Sequence, residues 1–186
     1  MTAPLILALD ISKTRTGIAF GRAGEAPKFV SISGGDISAV KMACRILVWM
    51  TDFIRLEKPD WIYFEAPMER ATGGSIKTII VLNCLAFLVE VIAEAKSIPH
   101  RKTHVNTLRK AFIGSGNLKA DLAEKMIGAM CRAIGWEPKN HDEADAGVVW
   151  HWACLQTSPR HAAVITPMLQ TKVAQDVEAS LRGRRA

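Results

Sequence analysis

The sequence predicts one mixed α/β domain, and three observations carry that reading. Short apolar runs recur that end abruptly in a carboxylate: Leu5 to Leu9 is closed by Asp10, and Trp61 to Phe64 by Glu65. Between and after them lie segments whose apolar residues keep helical spacing, so strands and helices alternate along the chain. The length of 186 residues, with 49% apolar and 23% charged residues, suits a single domain with one sizeable core.

Taken in order, the first run and Gly17-Ile18-Ala19-Phe20 flank a polar turn and read as a hairpin whose first strand is buried on both faces. Lys28 to Ile32 reads as a third strand, closed by Ser33-Gly34-Gly35. Asp36 has the chemistry of an N-cap for a long helix, in which Ile37, Val40, Cys44, Leu47, Val48 and Ile54 keep helical spacing up to Lys58-Pro59. Trp61 to Phe64 is the fourth strand. A glycine-rich loop, Ala71 to Ser75, leads into a helix from Ile76 to Lys96 that is apolar on nearly every side. Such a helix is either central to the core or partly buried by another subunit. Ile98 to His104 gives a short strand, Gly114-Ser115-Gly116 a turn, and Ala120 to Ile134 a helix. Past Pro138-Lys139-Asn140, a last core helix runs from Asp142 to Leu155. The rest is partly helical, over Pro167 to Leu181, and basic. The chain therefore divides into a domain over 1–156 and a basic tail over 157–186, without internal repeats.

Several classes are disfavoured. No run reaches the roughly 20 uninterrupted apolar residues of a membrane span; the run from Thr78 to Val89 stops at Glu90. Met1-Thr2-Ala3-Pro4 has no basic region leading into an apolar core, and Cys44, Cys84, Cys131 and Cys154 form no C-x-x-C pair. The expectation is a cytoplasmic chain with reduced, buried thiols. The histidines have no zinc-site spacing. The net charge of +6 is unevenly spread. Ser97 to Lys139 holds eight Lys/Arg against three Asp/Glu, and Thr157 to Ala186 holds five against two. Two basic segments on a slightly acidic body point to a polyanion, most often nucleic acid, as partner.

The chemistry concentrates in four acids. Asp10 and Glu65 end buried strands, where an unpaired carboxylate is costly and needs a cationic side chain or a metal ion. Asp142 and Asp145, three apart, share one face of the last core helix. Each has a local explanation: Asp10 capping a turn, Glu65 pairing with Arg70, Asp142 capping its helix. Together they would form a negative hole suited to a hard divalent cation, above all Mg²⁺. His141 reads as a neighbour of the site or an exposed residue. Arg101, Lys102, Arg109, Lys110 and Lys119 flank the acids in sequence. They lack a base-reading pattern, which fits phosphate contacts.

Ile6-Leu7-Ala8-Leu9-Asp10 with Thr16-Gly17-Ile18-Ala19, Ile62-Tyr63-Phe64-Glu65, and Asp142-Glu143-Ala144-Asp145-Ala146 resemble the RuvC Holliday-junction resolvases of the RNase H-like nuclease superfamily. Leu108 to Gly116 looks like that family's basic stretch and Gly-x-Gly turn. The resemblance, over about Leu5 to Leu155, implies an RNase H-like fold with a mixed five-stranded sheet flanked by helices. It implies a Mg²⁺-dependent crossover junction endodeoxyribonuclease that resolves four-way DNA junctions by paired symmetric nicks. Asp10, Glu65, Asp142 and Asp145 would be the catalytic and metal-binding acids for two Mg²⁺ ions, with Mn²⁺ able to substitute. Arg109, Lys110 and Lys119 would contact DNA, and the helix Ile76 to Lys96 would pair two subunits. Met68 stands where the family often has an aromatic wedge; it and Arg70 join the candidate DNA contacts. That departure, with the basic tail, suggests a phage-type or divergent member. Competing readings are another RNase H-like nuclease acting on flaps, branched DNA or RNA, and an actin-like ATPase, whose phosphate motif resembles Leu9 to Thr14. The latter needs two lobes and gives Asp142 and Asp145 no task.

Overall fold

The computed structural model describes residues 2–35, 37–67 and 75–183. Five strands form one sheet: β1 (Leu5–Asp10), β2 (Arg15–Arg22), β3 (Lys28–Ser33), β4 (Trp61–Glu65) and β5 (His100–Thr103). Their order is β3-β2-β1-β4-β5. β1 runs antiparallel to β2 and parallel to β4, β2 is antiparallel to β3, and β4 is parallel to β5. The sheet is thus mixed, as the sequence predicts.

β1 lies at the centre because it is apolar on both sides. Leu7 and Leu9 join Ile18, Ile62 and Phe64 under α1 (Ala39–Glu57) and α2 (Ile76–Ala95). Ile6 and Ala8 point the other way with Ala19 and Tyr63. There they meet α3 (Val105–Ile113), α4 (Ala120–Ala133), α5 (His141–Thr157) and α6 (Pro167–Gly183). The period-2 alternation of strands then fixes the acids: Asp10 follows Ala8, and Glu65 follows Tyr63, onto the α5 face.

Most element boundaries agree with the sequence reading within a few residues. Asp36, the proposed cap of α1, lies outside the described residues. Ser38 occupies the N-cap, its side chain accepting from the Lys41 N–H at 3.3 Å. α3 is a helix the sequence reading did not contain. It is nine residues long, and its N-cap, His104, makes no side-chain capping bond. α6 is packed through buried Val173 and Val177, and Gln170 Nε2 donates to the carbonyls of Ala111 and Phe112 at 3.2 and 3.4 Å. Cys131 and Cys154 are buried, but Cys44 and Cys84 are exposed, so the expectation of uniformly buried thiols fails. α2 is long and apolar enough to cross a membrane by length and composition, which the sequence reading did not anticipate. One face of it, with Leu85, Ala86, Val89, Ile92 and Ala93, is nevertheless packed in the core.

Candidate active site

β1 and β4 set the first two acids side by side. Their register pairs Leu9 with Phe64, so Asp10 stands beside Glu65, one strand spacing of roughly 4.8 Å away. α5 brings the other two. It crosses β1 and β2 closely because residue 17 is glycine: a Cβ there would sit 1.9 Å from the Asp142 carbonyl oxygen. Gly17 is the register partner of Asp10, so its missing side chain lets the first turn of α5 settle against Asp10. Glycine inside a strand is a signal of close backbone approach, and here it marks the site.

The start of α5 has its own cap. The Asn140 side chain accepts from the Glu143 N–H at 3.0 Å, and Glu143 Oε2 accepts from the Lys139 N–H at 2.8 Å. This reciprocal arrangement is close to a capping box. It removes the reading of Asp142 as an N-cap, and it accounts for the burial of Glu143, which is 2% exposed. Asp142 and Asp145 are left on the face turned to the sheet, near the positive end of the helix dipole.

The four carboxylates feel one another. Burial raises the Asp10 carboxyl well above its ordinary range, and the charges of Glu65, Asp145 and Asp142 raise it further, against Arg109. Burial, then Asp145, pushes Glu65 up to about 7, with Arg109 opposing. Asp145 is pushed to about 6 by burial, Asp142 and Glu124, while Arg109 and His141 pull it down. Asp10, Glu65 and Asp145, each partly exposed, share one crowded space. Among the described residues, no side-chain hydrogen bond or ion pair reaches Asp10, Glu65 or Asp145, whereas Asp142 lies 3.6 Å from Arg15 Nη1 and 3.5 Å from His141 Nε2.

Like charges desolvated together without a protein partner are the donor set of a hard cation. The fit is of chemistry rather than finished coordination: among the described residues no three His, Cys, Asp or Glu side chains stand close enough to hold an ion as they are. Arg109 from α3 faces the same acids. Its Nε is buried without a hydrogen-bond partner, and it lines a cleft of about 320 Å³ with Glu65, Ala66, Pro67 and Ile11. Larger clefts lie between α4 and α6, reaching Asn140 and His141, and between α1 and the β2–β3 edge.

The other candidates scatter. Lys110 and Lys119 are exposed, at the end of α3 and the N-cap of α4. Arg101 shares register with Tyr63 but lies over the Trp61 ring, 5.7 Å from its centroid. Lys102 points to the opposite face and pairs with Glu90 at 2.9 Å. Neither reaches the acids as their place in sequence suggested. Met68 and Arg70 lie outside the described residues. Sequence reasoning missed Arg15 and Glu124; an Arg two residues before a strand glycine and an acid on an amphipathic helix carry no distinctive signal.

A central mixed five-stranded sheet flanked by helices, with two acid-tipped parallel strands and a crossing acidic helix, is an RNase H-like fold, one that this chain shares with solved RuvC structures. Among solved structures, RuvC from Thermus thermophilus is similar over 82% of this chain and 97% of its own, with TM-score 0.60 and 16% identity. T. thermophilus RuvC in complex with Holliday junction substrate gives TM-score 0.66 at 13% identity, covering 83% of this chain and 96% of that one. The yeast mitochondrial Holliday junction resolvase Ydc2 gives 0.52 at 14% identity, covering 80% and 76%. No family model and no curated protein matches the sequence.

Proposed function

We propose that the protein is a divalent-metal-dependent endonuclease for branched DNA that resolves four-way junctions by paired nicks. The observation that carries this is the convergence of Asp10, Glu65, Asp142 and Asp145 at one end of β1 and β4, in a fold shared with a RuvC captured on a Holliday junction. Asp10, Glu65 and Asp145, with Asp142 beside them, would hold Mg²⁺ or Mn²⁺. A bound ion there supplies Lewis acidity for water attack and for the leaving oxygen of a phosphodiester.

The chain's own residues do the rest. The carboxylates, ionised once a cation offsets their mutual repulsion, would hold that cation, and the reacting phosphate would be positioned against it rather than activated by proton transfer, which suits a site without a central histidine. Arg109, set into the cleft beside Glu65, is placed to meet a phosphate, while Lys110 and Lys119 extend the positive surface for the arms of the DNA. Two nicks call for two sites related by a two-fold axis. The exposed stripe of α2, with Ile80 58%, Phe87 64% and Val91 45% exposed, supports a homodimer.

Cleavage with Mg²⁺ of a four-way junction, a flap, a linear duplex and an RNA–DNA hybrid tests the reading. Selective, symmetric nicking of the junction is expected. Preference for the flap or the hybrid would move the protein to another RNase H-like nuclease, and no cleavage of any substrate would end the nuclease reading.

A further inference from the structure

Asp142 differs from the other three acids in having a cation already in place. Arg15 Nη1 stands 3.6 Å from Asp142 Oδ2. The two partners are unequally free. The Asp142 side chain is 12% exposed and the Arg15 side chain 40%. The Arg15 backbone is fixed, its N–H donating to Ser12 Oγ at 3.0 Å and its carbonyl accepting from the same hydroxyl. Arg15 is therefore pinned by its main chain at the start of β2, with a partly exposed guanidinium at the rim of the acid pit. Arg109 is built the opposite way, from α3, with a buried Nε.

We propose that Arg15 is a metal-displaced phosphate clamp, which neutralises Asp142 in the metal-free protein and is released to a DNA backbone phosphate when a divalent ion binds the acids. This rests on the nuclease reading above. A guanidinium and a divalent cation compete for the same carboxylate oxygens, and a pair at 3.6 Å whose arginine side is open to solvent is weak enough to be broken. Once the acids carry an ion, Asp142 no longer needs the arginine. The planar fork then finds a better partner in a phosphate, which it can grip with two parallel hydrogen bonds. The consequence is an order of events: the DNA receives the Arg15 contact only after the ion is in place, so binding at the rim reports that the site is loaded.

Two measurements on the full chain test this. Mn²⁺ binding to the protein alone, followed by paramagnetic resonance, should be roughly three- to fivefold tighter in Arg15→Gln, because a competing cation is gone. Equal or weaker binding would make Arg15 a mere prop for Asp142 and overturn the clamp. Junction affinity against salt, measured with Ca²⁺ so that the DNA stays intact, should show a log–log slope lower by about 0.9 in Arg15→Gln, matching one lost phosphate contact. With chelator instead of Ca²⁺ the slopes should coincide, and Arg15→Lys should recover part of the slope. An equal slope loss with and without the ion would also overturn the proposal. A wild-type protein that binds no Mn²⁺ would take the nuclease reading down with it. A wild type that binds Mn²⁺ as its Arg15→Gln variant does would remove the clamp alone.

Discussion

α2 and α5 are the two helices with the least amphipathic sequence, and they meet opposite fates. α5 lies across the sheet and under α3 and α4, buried on all sides from Asp142 to Cys154 apart from a few positions. α2 packs one face on the sheet and beside α1, and leaves Ile76, Ile80, Cys84, Phe87 and Val91 outside as one stripe at spacings of three and four. All-round apolarity says that both faces of a helix are to be covered; it does not say by what. For α5 the cover is its own chain, and its burial is what desolvates the acids of the first turn. For α2 no second cover is found among the described residues, which is the physical support for the proposed second subunit.

The largest effect should come from breaking the chemistry that the burial of α5 creates. Asp145→Asn and Asp10→Asn should each lower Mg²⁺-dependent junction cleavage by at least a hundredfold, since even partners behind metal ligands cost roughly ten- to a hundredfold. Junction binding should persist or tighten, because a negative charge next to phosphate is gone. Wild-type cleavage by either variant would end the assignment of these acids.

Next comes the fit of α5 against the sheet. Gly17→Ala places a methyl where the Asp142 carbonyl oxygen lies, 1.9 Å away, so the first turn of α5 must retreat. Folding should weaken by about 1–3 kcal/mol in denaturant titrations. Cleavage should fall by roughly a hundredfold, as ligands shifted by an ångström lose their geometry. A variant that melts lower yet cleaves normally would show that α5 does not position the acids.

The same contrast can be tested on α2 with one substitution on each face. Phe87→Lys, on the exposed stripe, should leave the fold intact and convert the proposed dimer to a monomer by light scattering. Val89→Lys, at a fully buried position, should unfold the chain. A wild-type mass of one chain would remove the second subunit as the cover for α2.

Much of this was legible in the residues. Parity alone put Asp10 with Ala8 and Glu65 with Tyr63, and the strand–strand–helix order of the acids is in the sequence. What was not legible depends on long-range approach. Asn140-x-x-Glu143 is a capping pattern in plain view, yet Asp142 competes for the same role until the turn is seen. α3 has neither a capping side chain nor an acidic first turn to mark its start, so a short polar stretch reads as loop; its helicity comes from packing Leu108, Phe112 and Ile113 into the core. The arginine at position 15 gains its meaning only from α5, more than a hundred residues away. Lys102 lies away from the acids for a simpler reason: strand alternation turns it to the far face, toward Glu90.

The smallest effect is the dependence of metal-free stability on pH. Glu65 and Asp145 are pushed up to about 7 and about 6 from ordinary values of 4.5 and 3.8, mainly by burial. Between roughly pH 4 and 7 the unfolded chain therefore gives up protons that the folded chain still holds, so folding stability falls as pH rises through that window and levels off above it. In chelator, the melting temperature from these groups should drop from pH 5 to pH 8. Glu65→Gln cannot ionise, so its curve should be flatter and should lie a few degrees above wild type at pH 8. Added Mn²⁺ should raise wild type more at pH 8 than at pH 5, because protons and the ion compete for the same oxygens. A Glu65→Gln curve parallel to wild type across the window would mean that Glu65 is hydrated, and the acids on the α5 side would then be no more crowded than the open face of α2.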